Sequence, residues 1–71
     1  MVEMTPVRSS TIDSVGHDPE TSEMTVNFSN GGSYVYDGVP AALYQALLDS
    51  PSAGSFLHRH IKGRYAYRKV G

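Results

Sequence analysis

The segment from Met24 to Tyr36 constrains this chain more than any other. Met24, Val26 and Phe28 alternate with Thr25 and Asn27, the two-residue period of a half-buried strand. Ser29-Asn30-Gly31-Gly32 then supplies a cluster of turn formers, and Tyr34 and Tyr36 alternate on the return. A two-residue loop would pair odd with even positions and set the tyrosines opposite the apolar face of the first strand. A three-residue loop, Ser29-Asn30-Gly31, pairs even with even and places Tyr34 beside Val26 and Tyr36 beside Met24. The second register buries one coherent face, so the sequence predicts it. It also gives Gly31 the left-handed conformation that such loops need. Tyr34 and Tyr36 then read as core residues whose hydroxyls reach the rim, although two alternating tyrosines would also make a base-stacking platform.

The flanks complete an α+β pattern. Residues 1–6 read as a flexible start, and residues 7–71 as one domain. Val7 to Val15 reads as a strand with a bulge, because Ile12 and Val15 break the two-residue period; Gly16 to Glu23 reads as a turn. Gly38-Val39-Pro40 ends the sheet and opens a helix, with Pro40 at its first position. Val39, Leu43, Tyr44, Leu47 and Leu48 form its apolar stripe. Asp49-Ser50-Pro51 stops it, and Ser50 is placed to cap a second helix. There Phe56, Leu57, His60 and Ile61 share a stripe, and Gly63 is the natural close. Arg59 and Lys62 suit the negative end of that helix. Arg64 to Val70 alternates again as a short C-terminal strand, with Tyr65 and Tyr67 on one face and Arg64 and Arg68 on the other. The expected fold is an antiparallel three- or four-stranded meander packed on one face by two short helices. Its core includes Ile12, Val15, Val26, Phe28, Tyr36, Leu43, Leu47, Phe56 and Ile61.

Length bounds what such a fold can hold. A chain of 71 residues without cysteine has no disulfide or thiolate site to help it. Most of its apolar residues are committed to the core, which leaves little to line a deep substrate pocket. No apolar run approaches the roughly 18 residues of a membrane span, and no basic, then apolar leader opens the chain, so a cytoplasmic protein is the default expectation. The formal net charge of −1 hides a split. Residues 1–50 carry all seven acids and one base, Arg8; residues 51–71 carry five bases and no acid. Such a split marks either a basic binding face or two halves that neutralise each other across the fold.

Several motifs in order resemble one family. They are Val7-x-Ser9-Ser10-x-Ile12, Ser14-Val15-Gly16-x-Asp18, Met24-x-Val26-x-Phe28 with Gly31, Tyr34-x-Tyr36-x-x-Val39-Pro40, Ser52-x-Gly54-x-Phe56 and Ile61-x-Gly63-x-Tyr65. Together they resemble the KTSC domain over about residues 7–70. That family occurs as small free-standing bacterial and phage proteins and at the C-terminus of some lysyl-tRNA synthetases. The resemblance implies a fold and structural roles for Tyr34, Tyr36, Val39, Pro40, Gly54 and Phe56, but no particular chemistry. Attachment to a synthetase points toward RNA by association alone. This sequence has two departures from the family pattern. His17 stands where an aromatic, often tyrosine, is expected, which would loosen a packing contact. Leu57 stands where asparagine is expected after the phenylalanine, which removes a polar group.

The residues argue against catalysis. No Gly-x-Ser-x-Gly elbow occurs, and a serine–histidine contact without an orienting acid and an oxyanion hole is not a triad. His58-Arg59-His60 is a His-x-His, but residues two apart on a helix diverge and cannot easily chelate one ion. With no cysteine and no neighbouring acid, neither a metal nor a cofactor is expected. Asn30-Gly31-Gly32 lacks the strand, helix and lysine context of a phosphate loop. The strongest specific pattern is the basic tail interleaved with aromatics: His58, Arg59, Lys62, Arg64, Tyr65, Tyr67, Arg68 and Lys69. Basic side chains hold phosphates and aromatic rings stack unpaired bases. A sequence pI near 6.2 counts against it. The expectation is therefore a non-catalytic binding module that takes RNA, tRNA or another single strand through this tail. The alternative is a protein-interaction or self-associating module that uses its sheet edges.

Overall fold

The computed structural model describes residues 3–71. Five strands and two helices follow in order: β1 (Thr5–Pro6), β2 (Ile12–Asp18), β3 (Glu23–Phe28), β4 (Ser33–Tyr36), α1 (Ala41–Asp49), α2 (Ala53–His60) and β5 (Tyr67–Lys69). The strands form one antiparallel sheet in the order β1-β2-β3-β4-β5. The α+β meander is as expected, but the sheet has five strands rather than three or four. The extra strand comes from Thr5–Pro6, inside the stretch read as a flexible start, which pairs with Val15 and Ser14. Met1 and Val2 lie outside the described residues.

The central hairpin adopts the predicted register. Met24 faces Tyr36 and Val26 faces Tyr34, and the three-residue loop closes with the Phe28 N–H donating to the Gly32 carbonyl at 2.8 Å. Gly31 holds φ +96° there, a conformation that costs glycine nothing. The bulge also falls where expected, between Ile12 and Ser14. It carries Ile12 and Val15 to the same buried face although their spacing is odd.

Several element ends differ from the sequence reading; Pro40, for one, is the N-cap of α1 rather than its first helical residue. β2 begins at Ile12, not Val7, and runs through Gly16 and His17 to Asp18, so the turn is confined to residues 19–22. Ser22 takes φ +59°, and its carbonyl accepts the Val39 N–H at 2.8 Å. α2 is capped by Ser52, whose Oγ accepts the Ser55 N–H at 3.4 Å. Ser50, the expected cap, instead donates its hydroxyl to the Ser52 carbonyl.

Both helices lie on the sheet face that carries Val15, Met24, Val26 and Tyr36, and they seal it with Leu47, Ala53, Leu57 and Ile61. Ile12 and Val39 complete this buried set. Leu43, Phe28 and Phe56, expected as core, are half-buried at its margin. The two family departures find structural uses. His17 stacks on Tyr44 with ring centroids 5.3 Å apart, and its Nε2 is 2.6 Å from the Val39 carbonyl, so the contact is kept rather than loosened. Leu57 is 2% exposed and packs in the core.

Among the described residues no helix covers the other sheet face. Asn27 donates its Nδ2 to the Ser14 hydroxyl at 3.1 Å and accepts the Ser33 hydroxyl on Oδ1 at 2.6 Å, a polar ladder across three strands. Val35 is the apolar residue of this face, opposite Arg68. No helix among the described residues is long and apolar enough to cross a membrane.

Candidate functional site

Pairing fixes where the late basic residues point. Partners across an antiparallel ladder project to the same face. Tyr67 lies opposite Tyr36 and Lys69 opposite Tyr34, so both belong to the helix-bearing face. Arg68 lies opposite Val35 and belongs to the open face.

Arg68 is consumed there. Its guanidinium donates to Glu23 Oε2 at 2.6 Å and to Asp37 Oδ1 at 2.9 Å, tying β5 to β3 and to the end of β4. The Arg68 hydrogen bond, seconded by the Thr21 hydroxyl, holds the Glu23 carboxyl below its ordinary value. The two carboxylates in turn raise the Arg68 pKa, Glu23 the more strongly. Two acids around one base leave this cluster without positive charge to offer a ligand.

On the helix-bearing face, beyond the end of α2, the sheet margin opens into a groove of about 430 Å³. Phe28, Tyr34, Tyr36 and Tyr67 form its aromatic wall, and Lys62 and Asn30 stand at its rim. The Phe28 ring meets Tyr34 edge-on at 5.5 Å, and Tyr67 tilts over Tyr34 and Tyr36 at 5.9 and 5.7 Å. The Lys62 ammonium sits 5.8 Å from the Phe28 ring centroid, a cation–π contact worth about 0.5–1 kcal/mol at an exposed site. Tyr36 is sunk at the base, and burial, with the neighbouring Tyr67 and Tyr34, pushes its phenol up. Tyr67 is the opposite case: 61% of it is exposed, the largest exposure of any big apolar side chain among the described residues. Its ring therefore stands open to solvent where it lines the groove.

The groove continues in both directions. Toward the hairpin tip it reaches Lys69 past Asn30 and Tyr34. Toward α2 it passes Phe28, Asn30 and Lys62 into a second stretch of about 420 Å³ that includes His58, Ser10 and Thr11. From there it runs on between Arg8 and Arg59. Lys69, Lys62, His58, Arg59 and Arg8 are thus strung along one continuous path, and among the described residues no acidic side chain lines it. Asp13 is in hydrogen-bond contact with that lining: it is exposed and accepts the hydroxyl of Ser29, which lines the second stretch, at 3.0 Å.

Of the eight residues singled out from the sequence, the path collects five: His58, Arg59, Lys62, Tyr67 and Lys69. Arg68 is on the opposite face. Arg64 precedes β5, is exposed outside the groove lining, and donates its Nε to the Arg59 carbonyl. Tyr65 also precedes β5 and is half-buried against the core, so it does not share a face with Tyr67 in the strand as expected. The alternation of residues 64–70 suggested a strand longer than the three residues that pair. His60, read as part of the apolar stripe of the second helix, is exposed and tilts over Phe56 at 4.6 Å; it does not join His58 in the groove lining. Sequence reasoning missed Arg8, Phe28 and Asn30 as parts of this path. A glycine-flanked asparagine in a hairpin loop was a readable signal for Asn30, whereas the approach of Arg8 to α2 is purely tertiary.

Comparisons with known proteins agree with this architecture. The KTSC domain profile matches residues 8–65. A protein of Tsukamurella paurometabola is 36% identical over 62 residues, spanning 87% of this chain and 92% of its own. One from Stutzerimonas stutzeri is 37% identical over 65 residues, spanning 90% of this chain and 92% of its own. A lysine–tRNA ligase of a Nostoc species is 33% identical over 54 residues, which cover 76% of this chain but 10% of the ligase. The crystal structure of a KTSC domain protein from Yersinia pestis superposes with a TM-score of 0.96 at 37% identity, over the full length of both chains.

Proposed function

The chain belongs to the KTSC domain family, and we propose that it is a non-catalytic module that binds single-stranded nucleic acid along the acid-free groove between Lys69 and Arg8. The observation that carries this is the exposed Tyr67 ring at the mouth of an aromatic wall flanked by Lys62 and Lys69. Unpaired bases stack on aromatic faces, and lysine and arginine beside them take the phosphates. The modest overall pI is no obstacle, because two acids are spent on Arg68 on the far face and none lines the groove. Relatives in which this domain is a tenth of a lysine–tRNA ligase add a setting in which an RNA is at hand. Anisotropy titration of a labelled single-stranded RNA at about 50 and about 200 mM salt tests the proposal. Binding should weaken at the higher salt, and Tyr67→Ala should weaken it at both. Absence of salt-dependent binding to any RNA or single-stranded DNA would overturn it.

A second function has one specific observation behind it. β5 is an edge strand exposed at all three residues, with Val70 open beside it, so a partner strand or a second copy could extend the sheet there. Arg68 and Lys69 blunt that edge, as charges on edge strands commonly do. Sedimentation at low and high salt separates the two. A monomer at every concentration removes self-association.

A further inference from the structure

The polar lining of the aromatic groove is chemically one-sided. Asn30 is exposed, and it lines the groove together with the stretches on either side of it. Its Oδ1 accepts the Gly32 N–H at 3.1 Å, which ties the oxygen to the hairpin loop. That bond occupies one of the two lone pairs on Oδ1 and leaves Nδ2 as the wholly unengaged end of the amide. Nδ2 makes no hydrogen bond among the described residues and offers two N–H donors. The charged groups beside it, Lys62 and Lys69, are also donors only. The tyrosine hydroxyls can donate or accept, so they do not discriminate. The groove therefore meets the edge of a stacked base with donors and presents no carboxylate or imidazole acceptor along its aromatic stretch.

We propose that Asn30 makes this groove selective for keto bases, uracil and guanine (thymine in DNA), over the amino bases cytosine and adenine. Uracil carries a carbonyl oxygen at C4, which accepts from Nδ2. Cytosine carries an amino group at the same position, so donor would face donor and both would lose their water without gaining a partner. The inference rests on the strand-binding proposal above and adds to it a chemical class of ligand and a residue that reads it.

The test compares labelled uridine and cytidine strands of about ten nucleotides, a length within the usual single-strand site size. Both are pyrimidine strands, so the comparison isolates the base edge from the gross differences in stacking between purines and pyrimidines. The wild type should bind the uridine strand about fivefold more tightly, the factor expected for one hydrogen bond gained or lost. Asn30→Asp keeps the oxygen that holds the Gly32 N–H and replaces the free donor with an acceptor. It should weaken both strands through its charge and bring the uridine-to-cytidine ratio to one or below. Asn30→Gly, which suits the loop backbone, should bring the ratio to about one without the added charge. Equal wild-type affinities, or a ratio that survives both substitutions, would overturn the inference while strand binding stood. If neither strand binds at low salt, the strand-binding proposal fails and takes this one with it.

Discussion

Replacing Gly54 with alanine should destabilise this protein, against the ordinary preference of a helix. Gly54 is the second residue of α2, where alanine would gain at most about 1 kcal/mol over glycine. Here an added Cβ would stand 2.6 Å from Thr11 Oγ1 and 3.2 Å from Ser9 Oγ. The first contact is too short to survive without movement, and neither hydroxyl is free to swing. Ser9 Oγ accepts the N–H groups of Thr11 and Ile12, each at 3.2 Å, and shares a third hydrogen bond with Thr11 Oγ1. Ile12 is fully buried, so pushing this knot outward pulls on the core. Overpacking of this kind costs about 1–3 kcal/mol, which leaves a net loss of up to about 2 kcal/mol after the helix gain. In a Thr11→Ala background the closest atom is gone, and the remaining 3.2 Å contact needs the neighbour to give by only a few tenths of an ångström. Urea denaturation of the wild type, both single variants and the double variant yields the coupling between the sites, expected at about 1 kcal/mol or more. A Gly54→Ala protein at least as stable as the wild type would show that the Ser9–Thr11 turn yields freely. A loss that is identical with and without Thr11 Oγ1 would refute the Thr11 contact as its cause.

Three further outcomes follow from the charge and proton geometry. Lys69→Gln should lower the slope of log affinity against log salt by about one, whereas Arg68→Gln, on the other face, should leave that slope unchanged. Arg68→Gln should instead change stability in a pH-dependent way. Because Arg68 holds the Glu23 carboxyl below its ordinary 4.5, the stabilisation is full above that value and is lost as pH falls through the folded-state value. Denaturation curves of wild type and variant should therefore differ at neutral pH and converge in acid. Tyr36 has the opposite sign. Its phenol is raised above 10.0, so the stability it contributes is full below that pH and is lost as pH rises past it. Tyr36→Phe should flatten the alkaline decline.

What was legible in the sequence is what local patterning controls. The hairpin register followed from one apolar alternation and a loop with glycine at the left-handed position, and it placed Tyr36 in the core. The bulge was visible because Ile12 and Val15 both had to be buried from an odd spacing. The capping choice was not, because Ser50 and Ser52 flank Pro51 with equal local merit; the structure uses the one from which the chain runs directly into α2. The site was legible in composition but not in arrangement. Alternation alone told that Tyr67 and Arg68 face opposite ways, but not that Glu23 and Asp37 wait on the arginine's side. Nor could it tell that β5 pairs over three residues, which takes Tyr65 and Arg64 out of the strand. Arg8 joins the path because the Ser9–Thr11 turn packs on Gly54, a contact 43 residues apart in the chain.

A ligand held in the groove on the helix-bearing face must perturb the residues that line that groove. Backbone amide shifts of labelled protein titrated with a uridine strand test it most directly. Shifts should saturate together at Asn30, Tyr34, Lys62, Tyr67 and Lys69 and spread toward His58, with little change at Ser14, Thr25 and Asn27 on the open face. Shifts centred on that open face, or no saturating shifts at low salt, would contradict it.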